Sequence, residues 1–146
     1  MRAVIQRVKS ASVAVEGKEI GRIGWGLLVF AGFAPSDGER EVRWMCEKII
    51  RMRIFEDEAG KMNRSVAEVG GEILVISEFT LYGDAAKGNR PSFTEAAPPA
   101  TAKPLYDEMV GRLRETASVP VATGSFGAEM EVALVNDGPV TILLEK

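Results

Sequence analysis

The chain contains no histidine and a single cysteine, Cys46. Without imidazole there can be no Ser-His-Asp triad, no Cys-His pair and no histidine metal site. A lone cysteine forms no internal disulfide, which fits a reducing compartment. Cys46 shares a helical face with Val42, Met45, Ile49 and Ile50, so it reads as a small buried hydrophobe rather than a nucleophile. No apolar run approaches the length of a membrane span, and Met1–Arg7 reads as a strand rather than a secretory leader. The expected location is therefore the cytoplasm, with no membrane partner. The carboxylates are scattered: Glu39, Glu41, Asp57 and Glu58 read as solvated helix and turn charges. Gly21, Gly24 and Gly26 lack the spacing of a phosphate loop, and no Lys-Ser or Lys-Thr follows them. Neither a metal nor a cofactor is expected.

What is present suits one compact domain over residues 1–146, with 46% hydrophobic and 27% charged residues. A net charge of −3 argues against a general nucleic-acid coat, and the basic residues show no pattern for sequence-specific DNA binding. Fifteen glycines suggest a turn-rich, strand-rich build. Residues 2–8 and 12–15 alternate as strand, Glu16-Gly17 turns the chain, and Ile20 and Ile23 mark a return strand. Residues 26–33 are apolar on both faces, as in a central strand. Ser36 and Glu39 have capping-box spacing ahead of a first helix. Asp57–Gly60 is a turn, Gly70-Gly71 precedes a strand over 72–79, and a second helix starts near Pro99. Its apolar stripe is Leu105, Tyr106, Met109, Val110 and Leu113. Two last strands are expected, one with Met130, Val132 and Leu134 inward, the other apolar throughout from Val140 to Leu144. The order predicts an α/β domain, a mixed and largely antiparallel sheet packed by two helices, not a strict βαβ repeat.

Two segments carry the remaining chemistry. Ser77-Glu78-Phe79-Thr80-Leu81 follows the apolar run Ile73–Ile76, so hydroxyls and a carboxylate appear where a buried strand surfaces. Thr80 would be a nucleophile only with a base beside it. On a regular strand Ser77 and Phe79 face one side and Glu78 and Thr80 the other, so all reach one pocket only if the strand ends there. An ordinary strand terminus is the plain alternative. Asn136-Asp137-Gly138-Pro139-Val140-Thr141 is equally a common turn between strands, or a place where a cis proline fixes carbonyl directions.

These residues together resemble the D-aminoacyl-tRNA deacylases over essentially the whole chain. Ile5-Gln6-Arg7-Val8, Arg53-Ile54-Phe55, Gly60–Asn63, Arg90-Pro91-Ser92-Phe93, Thr123-Gly124 through Met130, and Asn136–Thr141 are the matching landmarks. One departure is plain: the family's Ser-Gln-Phe-Thr is Ser77-Glu78-Phe79-Thr80 here. A carboxylate removes an NH₂ donor and adds charge near a polyanionic substrate.

The resemblance implies a barrel-like α/β fold and a homodimer with its active site at the subunit interface. It implies hydrolysis of the ester between a D-amino acid and a tRNA's terminal ribose, extending to glycine mischarged on alanine tRNA. It further implies a cis Gly138-Pro139 bond whose carbonyls, lent by the other subunit and held by Arg7, reject L-amino acids. Ser77, Glu78, Phe79 and Thr80 are the implied catalytic segment, with backbone N–H groups of Phe79 and Thr80 at the oxyanion and the ribose 2′-hydroxyl as proton shuttle. Lys87 and Arg90, in the loop after that segment, are candidates for tRNA phosphate contacts, or ordinary solvated charges. A noncatalytic RNA-binding module of the same fold, or an editing domain for a mischarged L-amino acid, are the competing readings.

Overall fold

A computed structural model describes residues 1–146. Strand β1 (Arg2–Val15) buries Ala3 and Ile5 and then Ala11 and Val13 in alternation, interrupted at the adjacent buried pair Arg7-Val8, and it organises the sheet by pairing with three partners. β2 (Lys18–Ile23), β3 (Gly26–Gly32) and β8 (Glu131–Glu145) all lie antiparallel to it. β6 (Glu72–Ser77) pairs parallel with β3, and β7 (Val121–Thr123) parallel with β6. Helices α1 (Glu39–Arg51) and α2 (Pro99–Thr116) occur in the crossovers that parallel neighbours require. A small hairpin, β4 (Phe55–Glu56) with β5 (Met62–Arg64), precedes β6. The mixed sheet and two helices are those expected.

The sheet has a core on each face. One side chain set, including Ile5, Leu27, Val29, Ile73 and Val75, packs against Met45, Ile49, Met109 and Leu113 of the helices. The alternate set, Val8, Leu28, Leu74 and Ile76, packs against Val13 and Ile23, where β1 and β2 curl over the sheet. The curl nearly closes a barrel. A Cβ on Gly21 of β2 would stand 2.8 Å from the Thr123 carbonyl oxygen of β7.

Four local expectations differ from what is observed. The first helix is capped at Gly38, whose N–H donates to the Glu41 carboxylate at 3.1 Å, rather than by Ser36 and Glu39. Glu39 instead reaches Arg43 and Arg112 on the surface. The strand over 72–79 stops at Ser77, and a 3-10 turn, Phe79–Tyr82, follows. The two last strands are one, β8, and 136–139 is a bulge in it rather than a turn. Gln6 pairs with Thr141 and Val8 with Asn136, so residues 137–140 all stand opposite Arg7. The two halves of β8 pack on different sides of the sheet: Val132 meets the second core while Leu134 is left 37% exposed, and Val140, Ile142 and Leu144 face the helices while Leu143 is exposed.

Candidate active site

The carboxyl ends of the parallel strands β3 and β6 leave a crevice, the place where open α/β sheets expose backbone to ligands. Here it is a cavity of about 660 Å³. Phe30 to Phe33 form one wall, Ile76 to Thr80 the second, Phe93 and the start of α2 the third, and Phe126, Met130 and Val132 the floor. All four residues of the first sequence motif reach it because β6 ends at Ser77. Glu78 is still extended (φ −146°, ψ 95°) and its N–H donates to Ala31 O at 2.8 Å, the last rung with β3. The chain then winds into the 3-10 turn.

That turn sets the local chemistry. The N–H groups of Phe79 and Thr80 open it and have no partner within it, so they are free to face an anion. The Thr80 hydroxyl donates to Glu78 Oε1 at 2.8 Å, placing the carboxylate beside the hydroxyl on the cavity rim. Phe79 is 59% exposed and meets Phe93 edge-on, ring centroids 5.2 Å apart. Gly32 permits the close approach: a Cβ there would lie 2.8 Å from the Glu78 carbonyl oxygen and 3.3 Å from Leu81 Cβ. From below, the buried Tyr106 hydroxyl donates to Val75 O at 3.0 Å, tying α2 to β6. Burial pushes the Tyr106 phenol up to about 12, so it stays a neutral donor.

Arg7, Gly138 and Pro139 gather elsewhere. The Gly138-Pro139 bond is cis, and Gly138 sits at φ +136°, a region that favours glycine. Both residues are exposed at the crest of the β8 bulge. Beneath them Arg7 is 6% exposed; its Nε donates to Asp137 O at 3.0 Å and one terminal nitrogen to Ile54 O at 2.7 Å. The Asp137 carboxylate is 3.4 Å from Arg7 Nε and accepts from Trp25 Nε1 at 3.3 Å. Asn136 closes the bulge by accepting the Val140 N–H at 2.8 Å. Trp25, Asp137, Asn136 and the Ile54 carbonyl were not assigned roles from sequence. Only the Gly-Trp-Gly setting of Trp25 hinted that an exposed ring was being placed there.

This bulge is not beside its own crevice. Arg7 pairs with Leu27 and Arg2 with Gly32, so the two sites lie at opposite ends of β3, five strand residues or roughly 17 Å apart. Lys87 and Arg90 fall in the exposed loop between the 3-10 turn and Phe93, outside the crevice and outside every ion pair. No cluster of metal-ligating side chains is present. Cys46 is buried, and burial pushes its thiol up to about 12, which suits a core residue and not a thiolate nucleophile.

Comparison with known proteins gives this arrangement a context. A family model described as D-Tyr-tRNA(Tyr) deacylase matches residues 4–145. The D-aminoacyl-tRNA deacylase of Chlorobaculum parvum is 57% identical over 145 residues, covering 99% of this chain and 97% of that protein. The D-aminoacyl-tRNA deacylase of Syntrophobacter fumaroxidans is 59% identical with the same coverage. A solved structure titled c-Myc DNA Unwinding Element Binding Protein is 43% identical, with a TM-score of 0.93 over 100% of this chain and 99% of that one. A probable eukaryotic D-amino acid tRNA deacylase, 18% identical, shares the fold with a TM-score of 0.84 over 98% of this chain and 97% of that one. The chain belongs to the D-aminoacyl-tRNA deacylase family, hydrolases that act on D-aminoacyl-tRNA.

Proposed function

We propose that this hydrolase sorts enantiomers with main-chain atoms: the Gly138-Pro139 bulge of one subunit enters the crevice of a second and excludes L-amino acids. The observation carrying this reading is the separation just described. A buttressed, solvent-exposed peptide segment lies at the other end of β3 from its own cavity, and a symmetric pair of chains would give each cavity one such segment. With the substrate's ammonium and ester carbon fixed, exchanging enantiomers exchanges the α-hydrogen and the side chain. An L-side chain then collides with carbonyls that cannot move aside. Glycine has nothing to collide, so glycine mischarged on alanine tRNA is cleaved as well.

Chemistry in the crevice needs no side-chain triad. An aminoacyl ester is activated by its own ammonium group. Water adds to the ester carbonyl, and the developing oxyanion is held by the N–H groups of Phe79 and Thr80. The bond to the ribose oxygen breaks, and the proton lost by water reaches that oxygen through the neighbouring 2′-hydroxyl. Thr80 and Ser77 position the ester and the water, and Glu78 sits where the terminal adenosine is held. Lys87 and Arg90 meet tRNA phosphates, so binding weakens as salt rises.

The test is paired deacylation of D-seryl-, L-seryl- and glycyl-tRNA. The reading expects D and glycyl substrates to be cleaved at comparable rates and L-seryl-tRNA far more slowly. Equal release of both enantiomers would remove the wedge. Preference for L-seryl-tRNA would make this an editing domain for mischarged L-amino acids. Binding without cleavage of any of them would make it a noncatalytic RNA-binding module.

A further inference from the structure

On the flank that carries the Gly138-Pro139 bulge, α1 and β8 leave a groove of about 490 Å³. Its walls are Trp44, Lys48, Arg51 and Ile54 on one side and Ile142 and Leu144 on the other. Trp44, Lys48 and Arg51 are spaced four and three residues apart, so they share one helix face over about 10 Å. Lys48 Nζ and Lys146 Nζ lie 5.4 and 5.6 Å from the centroid of the Trp44 ring. Lys48, Arg51 and Lys146 are exposed, and none of the three belongs to an ion pair. Only one carboxylate, Glu47, lines the groove. In a chain of net charge −3, this sets three cations against one lining carboxylate around an aromatic ring.

The groove has a direction. At one end Lys146 donates its N–H to Met1 O. At the other end is Ile54, whose carbonyl accepts from the same Arg7 that holds Asp137. It therefore runs up to the base of the bulge. If the bulge enters a second subunit's crevice, the open end of the groove abuts the place where that crevice holds the 3′ end of its tRNA.

We infer that this groove takes the sugar-phosphate backbone of the acceptor arm of the tRNA whose 3′ end is bound by the second subunit. The inference rests on the wedge reading, which supplies the position of the 3′ end. Lys48, Arg51 and Lys146 face phosphates, and the Trp44 ring covers the apolar floor between the cations and offers a face to ribose or an unpaired base. Each tRNA would then touch both subunits, the cavity of one and the α1 flank of the other.

The experiment uses the full chain and two substrates, D-tyrosyl-tRNA and 2′(3′)-O-D-tyrosyl-adenosine, the second lacking any acceptor arm. Two double variants are compared with the wild type, Lys48→Gln/Arg51→Gln and, with reversed charge, Lys48→Glu/Arg51→Glu. The ratio of kcat/KM for the tRNA to that for the adenosine ester should fall about tenfold in the neutral pair, through KM, and further in the reversed pair. The slope of log KM against log salt should shrink by about two, one for each lost phosphate contact. An unchanged ratio in the neutral pair overturns the inference, as does an equal loss on both substrates, which would mean damage to the fold. Inhibition by polyglutamate with an unchanged tRNA ratio would overturn it too, giving the groove to an acidic peptide. The wedge reading fails separately, if the wild type cleaves D- and L-tyrosyl-adenosine equally fast.

Discussion

Arg7 is the side chain on which the bulge depends, because one buried guanidinium meets the carbonyls of Ile54 and Asp137 and the carboxylates of Asp137 and Glu56. Removing a buried charge's partners, or the charge itself, leaves polar groups without compensation. Arg7→Ala should therefore cost about 3 kcal/mol of stability. In the proposed mechanism it also raises the rate on L-aminoacyl-tRNA relative to D; calorimetry and paired deacylation read the two effects separately. Glu78 makes the opposite case. Its Oε1 accepts from Thr80, a role that a glutamine amide oxygen can keep while its NH₂ group adds a donor and a negative charge disappears from the cavity rim. Glu78→Gln should raise kcat/KM on D-aminoacyl-tRNA by about three- to tenfold, the worth of roughly one hydrogen bond. A rate that falls would show the carboxylate to be an adaptation of this chain rather than a handicap. At this scale the surfacing of Ser77–Thr80 at a strand end is legible because hydroxyls and a carboxylate follow the apolar run Ile73–Ile76, whereas Arg7 stands out only through the family resemblance. The Trp25–Asp137 contact was not, because it joins residues far apart in the chain through a bulge that no local pattern announces.

Among the elements, the long apolar alternations were the readable ones: β1, the buried β3, and the stripes of both helices. β4, β5 and β7 have two or three residues each, too few for alternation to be told from coil. The sequence divides β8 into two strands because Gly-Pro ordinarily interrupts a ladder. Here the pairing with β1 resumes on either side, and the interruption is absorbed as four residues opposite Arg7. Alternation puts Met130, Val132 and Leu134 inward; Met130 and Val132 do pack on the second core, and Leu134 is 37% exposed. Which residues of an edge strand are covered is decided by what packs over the sheet at that point, information absent from the strand itself. The packing of α1 against α2 gives an element-scale prediction. Cys46 is 1% exposed, and its thiol donates to Met109 O across the helix pair at 3.7 Å. Burial raises its folded value from 9.0 to about 12, so the neutral thiol's contribution is complete below pH 9.0 and is lost as pH rises toward 12. By about pH 10.5 the loss from this one group is roughly 2 kcal/mol. Cys46→Ala should therefore lose less stability than the wild type between about pH 8.5 and 10.5 in denaturant unfolding, although it starts lower for want of the sulfur's packing. Parallel pH curves for the two proteins would count against this assignment.

For the whole molecule, the exposed apolar surface is the telling quantity. Leu143 is 76% exposed, Val135 53% and Phe79 59%, and β8 presents an edge with no strand beyond it. Isolated chains seldom keep such surface and such an edge uncovered. In the pairing proposed above, a two-fold contact covers the β8 edge and brings each Gly138-Pro139 bulge to the other chain's crevice. On that proposal the enzyme is incomplete as a monomer, and its concentration should enter its activity. Leu143→Arg places a charge on the exposed face of β8, outside the crevice lining but only two strands across, through Val4, from the crevice residue Phe30, so the activity of the concentrated variant serves as the control for local damage. It should yield a folded monomer by light scattering, with helix and strand content intact. Its deacylation of D-aminoacyl-tRNA should fall steeply, and whatever activity remains should discriminate poorly between enantiomers, since no bulge reaches the cavity. Raising the variant's concentration should restore part of both properties by mass action. A monomer that kept full activity and full D-over-L preference would place the selecting atoms within one chain, and the crevice walls from Phe30 to Phe33 and from Phe126 to Val132 would then have to supply them.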